Sequence, residues 1–219
     1  MTSLRVSCLR VLAAALMTVA APVWAQDELG AAVMGLENHW VQIRYHSPDK
    51  AQKLEGGRSL AAQAAALAAR YPDRVEPLVW QAFGLLIEPE VNRDIAALGI
   101  VKQAKALLEK AEAMDPAGMN GVVHATLGTL YYEMPGWPVA FGDNKQAAEY
   151  LKKALAINPD GMDPNYFYGD YLLQRGKGRE ALPYLEKAMQ TPLRPGHEAA
   201  DTNRKTDIQE ALVAARKAR

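Results

Sequence analysis

The sequence has almost no cysteine. Its only cysteine among 219 residues is Cys8, which lies before an apolar run and not after it. A lipoprotein carries its acylated cysteine after such a run, so Cys8 does not mark a lipid attachment site. The rest of the chain has no thiol, and this excludes a disulfide framework, a cysteine nucleophile and a thiolate metal site from it.

The sequence also lacks an excess of charge of either sign. It contains 25 Lys and Arg against 25 Asp and Glu, which is a formal net charge of zero with histidine neutral. A nucleic-acid-binding domain needs an excess of basic side chains to neutralise the phosphates. Nucleic acid is therefore not an expected partner.

Hydrophobic runs long enough to span a membrane are missing too. An apolar stretch covers residues 11–21, which is about half of the roughly 20 residues that a membrane-spanning helix needs. Two arginines precede it, and Val23 and Ala25 provide small residues at its end. This order predicts a cleavable signal peptide over residues 1–25. We therefore expect a bacterial periplasmic protein with no membrane insertion after cleavage; an uncleaved anchor is the alternative.

Alanine-rich segments recur along the chain, and each ends at a proline. They cover residues 102–116, 144–159 and 178–192. In each segment an alanine, a leucine four residues on and an alanine three further on lie on one face of a helix. Small residues there let a neighbouring helix approach closely, and proline ends the helix because it lacks a backbone donor. The three sets are Ala104, Leu108 and Ala111; Ala147, Leu151 and Ala154; and Ala181, Leu185 and Ala188.

Another helical segment with a glycine precedes each of these, and the pairs carry a resemblance to a known family. Trp80, Phe83 and Gly84 form the first pattern, and matching patterns end at Gly128 and Gly169. Together with the alanine face and the closing proline, they resemble the 34-residue tetratricopeptide repeat. The resemblance implies an all-α fold, a right-handed superhelix of about nine helices with no sheet.

The repeat spacing predicts a single helical domain over residues 26–219. The third repeat has the family's spacing between its two glycines, whereas the first two repeats carry about seven or eight extra residues at the equivalent turn. We expect these two inserted loops, around Pro89–Ala97 and Pro135–Phe141, to lie side by side. The expected parts are a degenerate repeat or N-terminal cap at 26–76, repeats with inserts at 77–118 and 121–161, a regular repeat at 162–195 and a polar capping helix at 196–219.

The sequence contains no recognisable catalytic or metal-binding motif. It has no nucleophile elbow, no phosphate-binding glycine loop and no H-E-x-x-H helix. His39 and His46 are seven residues apart, too far for the i,i+4 pair that zinc prefers. We therefore expect no enzyme, no cofactor and no metal. The remaining alternative is an enzyme that uses carboxylates flanking the second insert, namely Glu133, Asp143 and Glu149.

In tetratricopeptide proteins the first helix of each pair lines a concave groove, and the resemblance implies the same here. This groove would be aromatic and mildly acidic, without the lysines and asparagines by which some members bind carboxylate-ended peptides. A neutral or basic protein segment therefore fits it better than an acidic one. The matching positions are Gln81, Leu85, Glu88, Ala125, Thr129, Tyr132, Asp163, Tyr166 and Asp170, of which Gln81, Glu88, Thr129, Tyr132, Tyr166 and Asp170 are the expected partner contacts.

The second insert holds Trp137 among two prolines and two glycines, a composition that favours a rigid, sharply turned loop. Trp137 has no helical face to join, so it either packs back against the repeats or projects towards a partner. Asp143 or Asn144, which follows the insert, is suited to cap the next helix.

These features favour a non-catalytic binding module or scaffold in the periplasm that holds a protein or peptide partner in its groove. The alternative is solute transport, because exported tetratricopeptide proteins of this size also resemble the T component of tripartite ATP-independent periplasmic (TRAP) transporters. That resemblance implies an oligomer beside a periplasmic solute-binding protein. The chain departs from the lipid-anchored form of that family because it lacks a lipid attachment site.

Overall fold

The computed structural model describes residues 23–92 and 97–218, with side chains from Glu28 onwards. Residues 1–22, which make up most of the expected signal peptide, lie outside the described residues, so cleavage after Ala25 stays a prediction. Positions 93–96 of the expected first insert lie outside them as well.

The described chain is built of α-helices joined by turns and loops. Nine α-helices follow one another in these residues, and no β-strand lies among them. The all-α superhelical fold expected from the sequence is thereby confirmed. The helices are α1 (Val23–Val41), α2 (Lys50–Arg70), α3 (Glu76–Asn92), α4 (Leu98–Met114), α5 (Val122–Glu133), α6 (Asn144–Ile157), α7 (Met162–Gln174), α8 (Gly178–Gln190) and α9 (Glu198–Lys217).

Leucine and alanine side chains form the interface within each repeat, as their spacing predicts. Leu108, Leu151 and Leu185 are fully buried. Leu151 and Leu185 pack over the glycines of the preceding helices, because a Cβ on Gly128 or Gly169 would lie 2.6 or 2.7 Å from the leucine Cγ. Burying each leucine stabilises the fold by about 1.5–3 kcal/mol, so these side chains hold α4, α6 and α8 in place.

The closest approach between helix backbones involves Gly84 of α3. A Cβ at this position would lie 2.5 Å from the backbone N of Ala61 and 2.8 Å from the carbonyl oxygen of Gly57, both in α2. Real Cβ atoms do not come so near to backbone atoms, so only glycine permits this packing. Gly84 therefore sets the distance between the first pair of helices and the second.

The first insert, expected around Pro89–Ala97, begins inside a helix. Helix α3 continues through Pro89 to Asn92. Proline cannot donate to the carbonyl of Leu85, but its fixed φ is compatible with a helix, so the helix continues at the loss of one hydrogen bond.

The second insert, between α5 and α6, is a compact loop. The backbone N–H of Gly142 donates to the carbonyl oxygen of Pro135 at 2.8 Å, and Gly142 forms an isolated β-bridge with Gly136. A Cβ on Gly142 would lie only 1.9 Å from the carbonyl oxygen of Met134. Asp143 then caps α6 by accepting hydrogen bonds from two backbone N–H groups, as the sequence predicts.

The two ends of the superhelix meet, because α1 contacts α9. Glu37 of α1 pairs with His197, which precedes α9, and lies 3.7 Å from the guanidinium of Arg194. Tyr45, in the turn after α1, donates a hydrogen bond to Asp207 of α9 at 2.7 Å. These contacts enclose the concave side of the superhelix between its first and last helices.

Candidate partner-binding cavity

The concave side of the superhelix holds a cavity of about 880 Å³. Its walls come from the first helix of each pair, namely α1, α3, α5, α7 and α9, with contributions from α4 and from residues of both inserts. Ligand-binding clefts in proteins occupy roughly 300–1,000 Å³. The closure of α1 on α9 thus turns an open groove into a cavity of ligand-binding size.

Helix α7 presents a polar and aromatic face to this cavity. Its lining residues are Asp163, Tyr166, Phe167, Asp170 and Gln174. The last four lie three, four, seven and eleven positions after Asp163, and this spacing places all five on one side of the helix. The cavity therefore has charged, aromatic and amide groups along about 16 Å of a single helix.

Asp170 accepts two hydrogen bonds from other side chains, and both reach the same carboxylate oxygen. Tyr132 donates to Oδ2 at 2.6 Å and Gln174 donates to the same oxygen at 2.9 Å. Burial, together with the negative charge of Asp170, raises the pKa of Tyr132 well above its ordinary value, so the phenol keeps its proton and remains a donor. Among the described residues, no cation pairs with Asp170 and no donor reaches its Oδ1.

Tyr166, one helical turn before Asp170, has a hydroxyl with no hydrogen bond among the described residues. Burial raises the pKa of Tyr166 above its ordinary value, so this hydroxyl is neutral and can either donate or accept. Residues four apart lie next to each other on a helix. Tyr166 and Asp170 are therefore neighbouring residues on the wall of the cavity.

Arg204 of α9 closes the same wall and has its charge already balanced. Its guanidinium lies 2.8 Å from Asp163 and 2.9 Å from Asp207, and it stacks over the rings of Tyr166 and Phe167 at 4.8 and 5.0 Å. Burial alone would lower the pKa of Arg204, but the nearby carboxylates raise it above its ordinary value. Arg204 thus fastens α9 to α7 and leaves little charge for a ligand.

A second wall of the cavity is aromatic and comes from α1 and α3. Trp40 packs edge-to-face on Trp80 with ring centres 6.3 Å apart, and Trp80 packs in the same way on Phe83 at 5.3 Å. Trp80 is only 5% exposed, and its indole Nε1 has no acceptor within the described part of the chain. An unpaired buried donor costs about 1–3 kcal/mol, so Trp80 is held here by the packing of its ring and not by a hydrogen bond.

The charged lining of the cavity is acidic in sum. Six carboxylates and three arginines line it. Arg44 pairs with Glu90, and Arg194 lies 2.6 Å from Asp201. With Arg204 also paired, the excess of carboxylates makes the cavity more favourable for a positive group than for a negative one.

Four of the residues predicted from the sequence lie where expected, on the cavity wall: Thr129, Tyr132, Tyr166 and Asp170. They come from the second and third repeats, in which the helix register follows the family pattern. The mildly acidic and aromatic character expected of the groove is also found.

Gln81 and Glu88, also expected at this surface, do not line the cavity. Glu88 instead lies 3.5 Å from Arg58 of α2. The face of α3 that lines the cavity carries Trp80, Phe83 and Ile87. The ring of Trp40 in α1 packs against Trp80 and Phe83, and this contact turns that face of α3 towards the cavity. The register of the first repeat is therefore rotated relative to that of the other two.

Trp137 does not pack against the repeats, since its side chain is 90% exposed. It does not line the cavity either, whereas Val139, two residues further on, does. The second insert therefore places one hydrophobic residue at the cavity and directs another into solvent beside it.

Several cavity residues were not predicted from the sequence. Trp40 and Arg44 belong to the expected degenerate repeat or N-terminal cap, Arg194 to the end of the regular third repeat, and Arg204 to the expected capping helix. The aromatic residue at position 40 follows helical spacing with its neighbours, and this signal alone did not distinguish a packing residue from a cavity residue. The arginines reach the cavity only because the two ends meet.

The described residues contain no group of three or more His, Cys, Asp or Glu side chains that could hold a metal ion. The candidate catalytic carboxylates do not converge in the cavity: Asp143 is occupied as the cap of α6, and Glu149 is exposed on that helix. Within the described residues, no helix combines the length and the apolar character that crossing a membrane requires.

Comparisons with known proteins agree with this architecture. Residues 139–194 match the model of the tetratricopeptide repeat family, while no curated protein is similar enough in sequence to count as a match. A solved structure, that of a thermophilic TPR protein from Thermus thermophilus, is similar with a TM-score of 0.55, at 20% identity, over 87% of this chain and 94% of that chain. The resemblance found in the sequence is thus confirmed for residues 139–194, which match the tetratricopeptide repeat, and the chain has the fold of a TPR protein.

Proposed function

We propose that this protein is a non-catalytic periplasmic scaffold whose concave cavity binds a segment of a partner protein. TPR proteins generally serve protein–protein interaction, and the repeat match and the fold agree with such a role. The observation that carries the finer proposal is the cavity of about 880 Å³ lined by the first helix of every pair.

The lining of the cavity supports a protein segment as the occupant. Aromatic rings offer large apolar area and, at the same time, polar edges that can hydrogen-bond to a peptide. Polar groups with free bonding capacity, such as the Tyr166 hydroxyl and the Asp170 carboxylate, provide the few directional contacts that orient a ligand in such a site. A bound segment would use both kinds of contact.

The proposal can be tested by site-specific photo-crosslinking in intact cells. We would replace Val139, which is 54% exposed and lines the cavity, with a photoreactive phenylalanine derivative, and compare it with the same replacement at Val213, which is 41% exposed on α9. Adducts with a specific protein at position 139 but not at position 213 are the expected result. Equal adducts at both positions, or none at 139, would contradict the proposal.

A second variant checks that the adduct depends on the cavity itself. Replacing Tyr132, Tyr166 and Asp170 with alanine should abolish the adduct at position 139 while the circular dichroism spectrum remains helical. An unchanged adduct would show that the partner binds elsewhere. Recovery of a solute-binding protein in the adduct would favour the T-component alternative over a general scaffold.

The proposed location has its own test, which does not depend on binding. The protein purified from the periplasmic fraction should begin at Gln26 when its N-terminus is sequenced. An N-terminus at Met1 would contradict cleavage and favour the uncleaved anchor, whereas recovery only from the cytoplasmic fraction would contradict export.

A further inference from the structure

The side chain of Asp170 is a charged group on the cavity wall for which no cationic partner lies among the described residues. Its Oδ2 accepts from Tyr132 and Gln174, whereas its Oδ1 has no donor among the described residues. Two other carboxylates on the cavity wall have cationic partners: Asp163 pairs with Arg204, and Asp201 pairs with Arg194. Asp170 is thus a partly desolvated negative charge held in a fixed position.

The surroundings of Asp170 restrict what can pair with it. Arg204, an arginine on the same wall, is held by Asp163 and Asp207 at 2.8 and 2.9 Å. It cannot turn to Asp170 without leaving both of these carboxylates unpaired, which is costly for buried charges. A cationic partner for Asp170 would therefore have to come from a molecule that enters the cavity.

The geometry points to a basic side chain of the bound segment as the group that Asp170 holds. The ammonium or guanidinium of a lysine or arginine would donate to Oδ1 of Asp170, and the Tyr166 hydroxyl one turn away would accept from the same cation. The hydrocarbon part of that side chain would lie along the apolar rings that line the cavity, as long basic side chains commonly do. This assignment rests on the proposed function and adds the chemical class of the residue that anchors the partner.

The apolar side chains of the same cavity support a peptide over a simple cation. Trp40, Phe83 and Ile87 lie on its wall, and a metal ion or a small ammonium ion would leave them uncovered. A peptide brings apolar side chains of its own, so it supplies both a cation for Asp170 and apolar groups for this wall.

The test uses the purified full chain and pools of hexapeptides with acetylated N-termini and amidated C-termini. One central position is fixed as Lys, Arg, norleucine or Glu, and the other positions are mixtures of Ala, Ser, Leu and Tyr. Binding is measured by isothermal titration calorimetry. We expect the Lys and Arg pools to bind roughly 10- to 100-fold more tightly than the norleucine pool, as a charge-assisted hydrogen bond implies, and the Glu pool to bind least.

Variants assign this preference to Asp170. Asp170→Asn keeps the size of the side chain and an oxygen for Tyr132, and it should reduce the Lys-over-norleucine preference to about twofold or less. Glu180→Gln is the matched control, because Glu180 forms an exposed pair with Lys177 on α8 and does not line the cavity. This control should retain the full preference. A preference that survives Asp170→Asn, or pools that all bind equally or not at all, would overturn the assignment.

Free hexylamine separates a peptide ligand from a small amine. It carries an ammonium on a hydrocarbon chain, as lysine does, but no carbonyl, and it should bind far more weakly than the Lys pool. Binding of hexylamine as tight as that of the pool would overturn the assignment of a segment. If only this inference is wrong, the cross-link at position 139 forms in the wild type and is unchanged by Asp170→Asn. If the proposed function is wrong, the cross-link does not form in the wild type either.

Discussion

Replacing Gly84 with alanine adds one methyl group at the tightest helix contact of the fold. The new Cβ would lie 2.5 Å from the backbone N of Ala61, 2.8 Å from the carbonyl oxygen of Gly57 and 2.9 Å from the Cα of Ala61. All three atoms belong to the backbone of α2, so no side-chain rotation can relieve the clash. Helices α2 and α3 must therefore move apart.

The expected magnitude follows from two opposing effects. Overpacking in a tight interface costs about 1–3 kcal/mol, and the cost here lies at the upper end because the clash is with backbone. Alanine is favoured over glycine inside a helix by about 0.5–1 kcal/mol. The net effect is a loss of about 1–2 kcal/mol in the free energy of unfolding, which lowers Tm by roughly 2–8 °C for a chain of this size.

Gly35→Ala is the matched control for this prediction. Gly35 also lies inside a helix, α1, but a Cβ there would meet nothing within 4 Å. Only the propensity term applies, so this change should raise the free energy of unfolding by about 0.5–1 kcal/mol. Urea unfolding followed by circular dichroism measures both variants. If Gly84→Ala were as stable as the wild type, or stabilised like Gly35→Ala, the close approach of α2 and α3 would be refuted.

Two further changes test the cap of α6 and the pairing of Asp201 with Arg194. Asp143→Ala removes the cap of α6 and should cost about 0.5–2 kcal/mol in thermal unfolding, whereas Asp143→Asn should retain most of the stability; equal losses would argue against the cap. Burial alone would raise the pKa of Asp201, but hydrogen bonds from Arg194 hold this pKa below its ordinary value. The ionised carboxylate therefore stabilises the fold above about pH 4, and this stabilisation is lost as the pH falls through the lowered pKa. Asp201→Asn should therefore cost about 1.5–3 kcal/mol at pH 7 and little near pH 2, and a difference independent of pH would contradict the pairing with Arg194.

The helices and their packing faces could be read from the sequence because both depend on local periodicity. Alanine and leucine at intervals of four and three residues define one side of a helix in any context. Leu151 and Leu185 are fully buried on that side, and the C-terminal helix spans Glu198–Lys217, as its pattern predicts. Such features require only that each segment be helical and that one face be apolar.

The candidate site could be predicted where a repeat keeps the family register. Tyr132, Tyr166 and Asp170 line the cavity because the second and third repeats pack as the repeat pattern implies. Gln81 and Glu88 were misplaced because the register of α3 is set by long-range packing, with Gly84 pressed against α2 and Trp80 against Trp40. No periodicity within α3 encodes those neighbours.

The closure of the superhelix was decided by tertiary structure alone. It depends on contacts between residues about 160 positions apart, such as Glu37 with His197 and Tyr45 with Asp207. Pairs of this kind leave no repeating signal in a single sequence, since each is one polar residue among many on a solvated helix face. Sequence by itself therefore determined that the chain forms a solenoid of helix pairs with an acidic, aromatic inner face. Only the meeting of α1 and α9 made that face a cavity, because charge pairing between distant segments, and not helical periodicity, brings the two ends together.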